Sequence, residues 1–132
     1  MILADTSAWI EYVRATGSSL DRRMTELVTP SSSLAVTEPV LMEVLQGARD
    51  DARERELRLL LLSFELLPYA SSVDFEVAAS LYRAGRAAGI TPRGAVDCMI
   101  VAVAYRAGAT LLSGDLDQMR IAGLAGVTVE GS

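Results

Sequence analysis

The sequence predicts an α/β fold in which helices cover a mostly parallel sheet, and three observations carry that prediction. Short apolar runs that read as strands alternate with longer runs whose apolar residues recur at helical spacing, the pattern of βα units. Hydrophobic residues make up 51% of the 132 residues and charged ones 22%, a composition that can bury a sizeable core. No Pro/Ser-rich linker, repeat or low-complexity block interrupts residues 1–132, which are therefore read as one three-layer domain with about five strands.

Ile2-Leu3-Ala4 is the first strand. Behind Asp5, Thr6-Ser7 can cap a helix running through Arg14. A second helix spans Ser18 to Val28, with Leu20, Met24, Leu27 and Val28 on one stripe. Ser33-Leu34-Ala35-Val36 is the second strand. Thr37 can cap the next helix, which tolerates Pro39 in its first turn and runs through Glu43 to Gly47. Asp51 to Ser63 is strongly helical, and its Leu57, Leu59, Leu60, Leu61 and Leu62 are apolar on more than one side. Such a helix is either wedged in the core or shared with a partner.

Phe64 to Tyr69 is read as the third strand. Ser71-Ser72-Val73-Asp74 resembles a capping box opening a helix with Val77, Leu81, Ala84 and Ala88 on one face, ended by Gly89. After Thr91-Pro92 the most apolar helix runs from Val96 to Tyr105 and stops at Gly108. Ala109 to Ser113 is a fourth strand and Val127-Thr128-Val129 a short fifth.

The 12 basic residues are all Arg; the chain has no Lys, no His and a single Cys, Cys98. Without an imidazole there is no Ser-His-Asp triad and no His-ligated zinc, and without Lys no phosphate loop ending in Gly-Lys. A lone Cys forms no intrachain disulfide and is most simply a small core residue. The start Met1-Ile2-Leu3-Ala4-Asp5 carries no base, and no apolar run approaches the roughly 18 residues of a membrane helix. A soluble cytoplasmic protein with no membrane partner is expected. The net charge of -5 argues weakly against a broad cationic nucleic-acid surface.

Four carboxylates stand where burial is costly. Asp5 and Asp115 each follow the carboxyl end of an apolar strand, the edge at which open parallel sheets build their sites. Asp97 opens an apolar helix, and Glu43 sits within Pro39-Val40-Leu41-Met42-Glu43-Val44-Leu45; neither has a local cation except Arg93. Each has a plain alternative: Asp5 can cap the helix behind it, Asp97 can answer a helix N-terminus, Asp115 with Asp117 can form a turn through Gly114, and Glu43 can face water. Together they shift the balance, because acids are almost never fully buried unpaired.

If the four converge, repulsion between two carboxylates about 4 Å apart, roughly 4 kcal/mol at an effective dielectric near 20, forbids full ionisation without a cation. Oxygen donors without His or thiolate select Mg²⁺ or Mn²⁺ over Zn²⁺. Next to hydroxyls such as Thr6 and Ser113, such a site suits phosphoryl chemistry.

Met1 to Ile10, Glu38 to Gly47, Asp97-Cys98-Met99-Ile100-Val101-Ala102 and Gly114-Asp115-Leu116-Asp117 resemble, in order and spacing, the four acidic motifs of PIN-domain ribonucleases, and with the total length the VapC-type toxins of bacterial toxin–antitoxin pairs. The resemblance spans essentially the whole chain. It implies a three-layer α/β/α PIN-like fold with sheet order 3-2-1-4-5, and Mg²⁺-dependent cleavage of single-stranded or looped RNA (tRNA, rRNA or mRNA) to a 5′-phosphate and a 3′-hydroxyl. It also implies homodimerisation and neutralisation by a small antitoxin in a hetero-oligomer. Carried over, Asp5, Asp97 and Asp115 are the metal ligands, Glu43 the acid that positions or deprotonates water, and Asp117 an auxiliary beside Thr6 and Ser113. The fourth motif departs from the family's pattern: Ser113-Gly114 precede Asp115, and Gln118 follows Asp117 where relatives often carry Phe.

Arg83, Arg86 and Arg93 flank the approach to the Asp97 helix and are the RNA-contact candidates, with solvation as the alternative. Trp9 and Tyr12 can stack on a base or pack, and packing is the simpler reading. Two other functions stay open: a Mg²⁺-dependent phosphatase with Asp5 as nucleophile, against which stand Ser7 in place of a second Asp and the missing Lys, and a catalytically silent PIN-like binding module.

Overall fold

A computed structural model describes residues 1–131. Five parallel strands form one sheet in the order β3-β2-β1-β4-β5: β1 (Ile2–Ala4), β2 (Leu34–Val36), β3 (Glu65–Leu66), β4 (Thr110–Ser113) and β5 (Val129–Gly131). The three central strands are apolar without alternation because both of their faces are covered, and Leu3, Ala4, Leu34, Ala35, Val36, Leu111 and Leu112 are all buried. Ile2 pairs with Leu34 on one side and Thr110 on the other. Starting from β1 the chain moves outward to β2 and β3, then returns across the sheet to β4. The strand order thus reverses between β1 and β4, where crevices form beyond the carboxyl ends.

The helices form two packed groups: α1 (Thr6–Val13), α2 (Ser19–Leu27), α3 (Glu38–Gln46) and α4 (Asp51–Leu61), and then α5 (Ser71–Ala87), α6 (Ala95–Ala107) and α7 (Leu116–Leu124). The predicted α/β/α fold and its 3-2-1-4-5 order are what the structure shows. Small and β-branched residues of α6, from Cys98 through Val101 to Ala104, are buried against α5 and the sheet. Gly108 ends α6 at φ 65°, a left-handed conformation that only glycine adopts cheaply. Among the described residues, no helix is long and apolar enough to cross a membrane.

Several expectations are corrected. α1 is capped by Asp5 itself rather than Thr6 or Ser7. Thr37 makes no side-chain cap on α3, and its hydroxyl is buried without a partner. The third strand is only Glu65–Leu66, two exposed residues, because the segment after it turns to place Tyr69 N–H on Glu38. α5 starts from Ala70, not from a Ser71 cap. Asp74 instead takes the Ala70 N–H at 2.8 Å and a two-pronged bond from Arg106, so it is wholly buried and paired. The fifth strand lies two residues later than its apolar run, its register set by β4: Leu111 opposite Val129 and Ser113 opposite Gly131. A whole helix, α7, stands where only a turn is expected. Asp115 and Gln118 form the Asp-x-x-Gln start that announces it.

Cys98 and Trp9 are core residues, as read. The indole packs edge-on against Tyr12 (6.1 Å between centroids) and tilted against Phe64 (5.8 Å). Of the two readings of the leucine-rich helix, core burial holds for Leu57 and Leu61, while Leu59 is 75% and Leu62 47% exposed.

Candidate functional site

A cleft of about 760 Å³ opens at the carboxyl ends of β1 and β4, and Asp5, Glu43, Asp97 and Asp115 all line it. Four separate elements deliver them. Asp5 is the first residue beyond β1, held by its N–H on the Leu112 carbonyl at 3.0 Å. Glu43 comes from the middle of α3, Asp97 from the first turn of α6, and Asp115 from the residue that caps α7. Thr6, Ser7 and Glu11 of α1, Ser18 and Ser19 at the start of α2, and Gly114 complete the polar wall. Among the described lining residues Arg93 is the one cation facing five carboxylates.

For Asp5 and Asp115 the plain capping role and the convergence are both true. Oδ1 of Asp5 accepts the Ser7 hydroxyl at 2.6 Å and the Ala8 N–H at 3.1 Å, and Oδ2 meets the Ser113 hydroxyl at 3.0 Å. Oδ1 of Asp115 accepts the N–H groups of Asp117 and Gln118 at 3.0 and 3.2 Å, while Oδ2 stands 3.6 Å from Arg93 Nε. Glu43 Oε1 accepts the Thr6 hydroxyl. The Asp97 carboxylate receives no hydrogen bond from the described residues.

The electrostatics follow from this placement. Burial raises the Asp5 carboxyl to about 6 against three opposing hydrogen bonds, from Ser7, Ala8 and Ser113, with the charge of Asp115 adding to the rise. Burial also lifts Asp97 to about 6, followed by repulsion from Asp115, Glu43 and Asp5, with Arg93 pulling the other way. The site is short of positive charge.

Its donors are carboxylate and hydroxyl oxygens. The chain's one thiol, Cys98, is buried and pushed up to about 11, so it stays protonated. That chemistry fits a hard divalent cation and not zinc. Among the described residues no three carboxylates stand close enough to form a ready-made ligand set. Mg²⁺ needs none, since it is held through one or two carboxylates and keeps several waters.

Of the auxiliary residues, Thr6 lines the cleft and Ser113 lies buried behind Asp5, but Asp117 points to Arg120, 3.6 Å away, and does not line it. Arg83 and Arg86 are also outside. Arg83 borders a separate apolar groove with Tyr69, Phe75, Tyr82 and Met99, and Arg86 lies over the Tyr82 ring at 5.8 Å.

The unusual fourth motif has a physical basis. A Cβ on Gly114 would stand 2.9 Å from Leu20 Cδ2, so glycine lets α2 close on this loop, and the Gly114 N–H donates to Ser7 Oγ at 2.9 Å. Glu11 lines the cleft beyond the residues expected there, and Gln118, a departure from the family's fourth motif, is buried behind it. Glu11 carries no local signal; Gln118 carries one in its spacing from Asp115.

A sheet of order 3-2-1-4-5 with four acids at its switch point defines a class. The profile of the PIN domain matches residues 2–124, and the chain belongs to the PIN-domain family. Within it, the chain is 43% identical over 118 residues, 89% of this chain and 88% of the relative, to a VapC ribonuclease of Mycobacterium bovis. It has the same identity and coverage against ribonuclease VapC11 of Mycobacterium tuberculosis. The fold matches VapBC2 from Rickettsia felis, solved bound to a promoter DNA fragment, with a TM-score of 0.75 over 100% of this chain and 99% of that one, at 16% identity.

Proposed function

We propose that this protein is a Mg²⁺-dependent endoribonuclease, the toxin of a type II toxin–antitoxin pair, with Mn²⁺ able to replace Mg²⁺. The observation that carries the reading is the convergence of Asp5, Glu43, Asp97 and Asp115 from four elements on one cleft at the switch point. Of the three expected ligands Asp5, Asp97 and Asp115, one or two would hold the cation directly, Asp97 being the least hydrogen-bonded of them. A bound divalent cation would supply charge compensation at the phosphodiester and a lowered pKa for water.

The chain's own residues do the rest. Glu43, oriented by Thr6, accepts the proton of the attacking water. Arg93, exposed at the rim, grips a phosphate of single-stranded or looped RNA. Hydrolysis that breaks the bond between phosphorus and the 3′-oxygen leaves a 5′-phosphate and a 3′-hydroxyl. Arg83 and Arg86 can contact RNA only away from the cleft. Relatives of the VapBC type are toxin–antitoxin complexes, which supports a small antitoxin as partner. The exposed Leu59 and Leu62 of the leucine-rich segment are the candidate contact for a protein partner.

The test is cleavage of total RNA by purified protein: cutting with Mg²⁺ that stops in EDTA is expected, and is lost in Asp5→Ala. Equal cutting in EDTA would overturn the reading. Absence of Mn²⁺ binding in the micromolar-to-millimolar range would point to the silent module, and phosphate trapped on Asp5 to the phosphatase.

A further inference from the structure

Gln118 is a wholly buried polar side chain that the proposed mechanism leaves unused. Its Oε1 lies 2.8 Å from Ser113 Oγ, and its Nε2 approaches the Asp97 main-chain carbonyl at 3.4 Å. A carbonyl can only accept, so the amide nitrogen faces Asp97 and the amide oxygen faces Ser113. Ser113 Oγ also accepts the Asp115 N–H at 3.0 Å and stands 3.0 Å from Asp5 Oδ2. One amide and one hydroxyl therefore join the side chain of Asp5, the main chain of Asp115 and the main chain of Asp97, three residues set on three different elements.

The hydroxyl of Ser113 has one proton and two acceptors in reach, Asp5 Oδ2 and Gln118 Oε1. Oδ1 of Asp5 is already bonded to Ser7 and Ala8.

We infer that Gln118, acting through Ser113, is a positioning residue of the cleft: it holds Asp5, Asp97 and Asp115 in mutual register. The inference rests on the cleft being a metal-dependent ribonuclease site. Partners that orient metal-binding side chains typically change metal affinity or activity 10–100-fold when replaced, and about that range is expected here.

Gln118→Met keeps an unbranched chain of similar volume and removes both polar ends. Mn²⁺ binding is titrated calorimetrically at a temperature where circular dichroism shows every variant folded, and the metal concentration for half-maximal RNA cleavage is measured alongside. Gln118→Met should weaken Mn²⁺ binding and raise that midpoint by about 10–100-fold. Ser113→Ala, which removes the hydroxyl that joins Gln118 to Asp5 and Asp115, should weaken both as well, while Ser113→Thr, which keeps the hydroxyl, should recover part of that loss. The double variant Ser113→Ala/Gln118→Met should lose no more than the worse single, because the two act as a unit. Should Gln118→Met fail to fold, the Ser113 pair carries the test. A folded Gln118→Met with unchanged Mn²⁺ affinity and midpoint overturns the inference and leaves the ribonuclease reading intact. A wild-type protein that binds no Mn²⁺ and cuts equally in EDTA overturns both.

Discussion

The hydroxyl of Thr6 donates to Oε1 of Glu43, tying the first turn of α1 to the middle of α3. This bond engages one oxygen of Glu43, and in the proposed mechanism the other would act on water. Glu43→Gln preserves the acceptor for Thr6 but not the base. Cleavage measured under single-turnover conditions should fall by about 10²-fold or more, the scale of general-base catalysis, with the thermal midpoint near wild type. Thr6→Val removes the donor at similar size, and a smaller loss of about 10-fold is expected from disorientation alone. Wild-type rates in Glu43→Gln would remove Glu43 from the chemistry.

Stability and function oppose each other at Asp5. Its carboxyl is raised from 3.8 to about 6 by burial, so between those values the folded chain holds a proton that the unfolded chain has released. The stabilising proton is present below pH 4 and lost as pH rises through 6. Ionisation at neutral pH therefore costs on the order of 3 kcal/mol. Asp5→Asn removes that cost and suits the local bonds: an amide oxygen for Ser7 and Ala8, an amide N–H for Ser113 Oγ, and the Ser113 proton released to Gln118. At pH 7.5 without metal this variant should melt higher than wild type, the gap closing towards pH 4, and should be inactive. Mn²⁺ should raise the melting temperature of wild type more than that of Asp5→Asn. Identical pH profiles for the two proteins would contradict the account.

The sheet and the acids were legible in the sequence for different reasons. Central strands such as Leu34–Val36 are buried on both faces and so read as unbroken apolar runs. Asp5, Glu43, Asp97 and Asp115 stand out because their sequence neighbours offer almost no cation. β3 has two exposed residues and no burial signal, and β5 takes its register from β4 rather than from its own apolar residues. α7 is not legible as a helix because its apolar Met119, Ile121 and Ala122 make too short a stripe. The Gln118 contact with Asp97 crosses a separation of 21 residues, which no local pattern encodes. Arg83 and Arg86 lie near Arg93 in sequence, yet α5 carries them to another face.

Arg106 and Asp74 provide a contrast, a charge pair that serves the fold and not the cleft. Arg106 bonds both oxygens of the buried Asp74 and the Pro68 carbonyl, locking α6 to the start of α5. Arg106→Ala leaves a buried carboxylate with only the Ala70 N–H. A loss of about 2–3 kcal/mol is expected, at the low end for broken buried pairs because the guanidinium is partly solvated. Removing both partners in Asp74→Ala/Arg106→Ala should recover part of it. Denaturant unfolding measures both, and the Mn²⁺ affinity of the folded protein should not move. A change in that affinity would show that the pair reaches the cleft.

Arg93 faces the opposite demands. Its Nε stands 3.6 Å from Asp115 Oδ2 while the side chain remains 82% exposed, so the pair adds little to stability. With no Lys or His in the chain, Arg93 is the one side-chain cation among the described residues of the cleft, and a phosphate arriving there finds its charge first. Arg93→Ala should raise KM for a short RNA substrate by about 10-fold, the loss of one charge-assisted phosphate contact, with kcat much less affected. Arg93→Lys should recover only part, because an ammonium cannot grip phosphate with two parallel N–H groups. The same substitution at Arg83 or Arg86, outside the cleft, should change KM less. KM values from initial rates at fixed ionic strength decide it: an Arg93→Ala enzyme with unchanged KM, or equal effects at all three arginines, would transfer RNA recognition away from the rim.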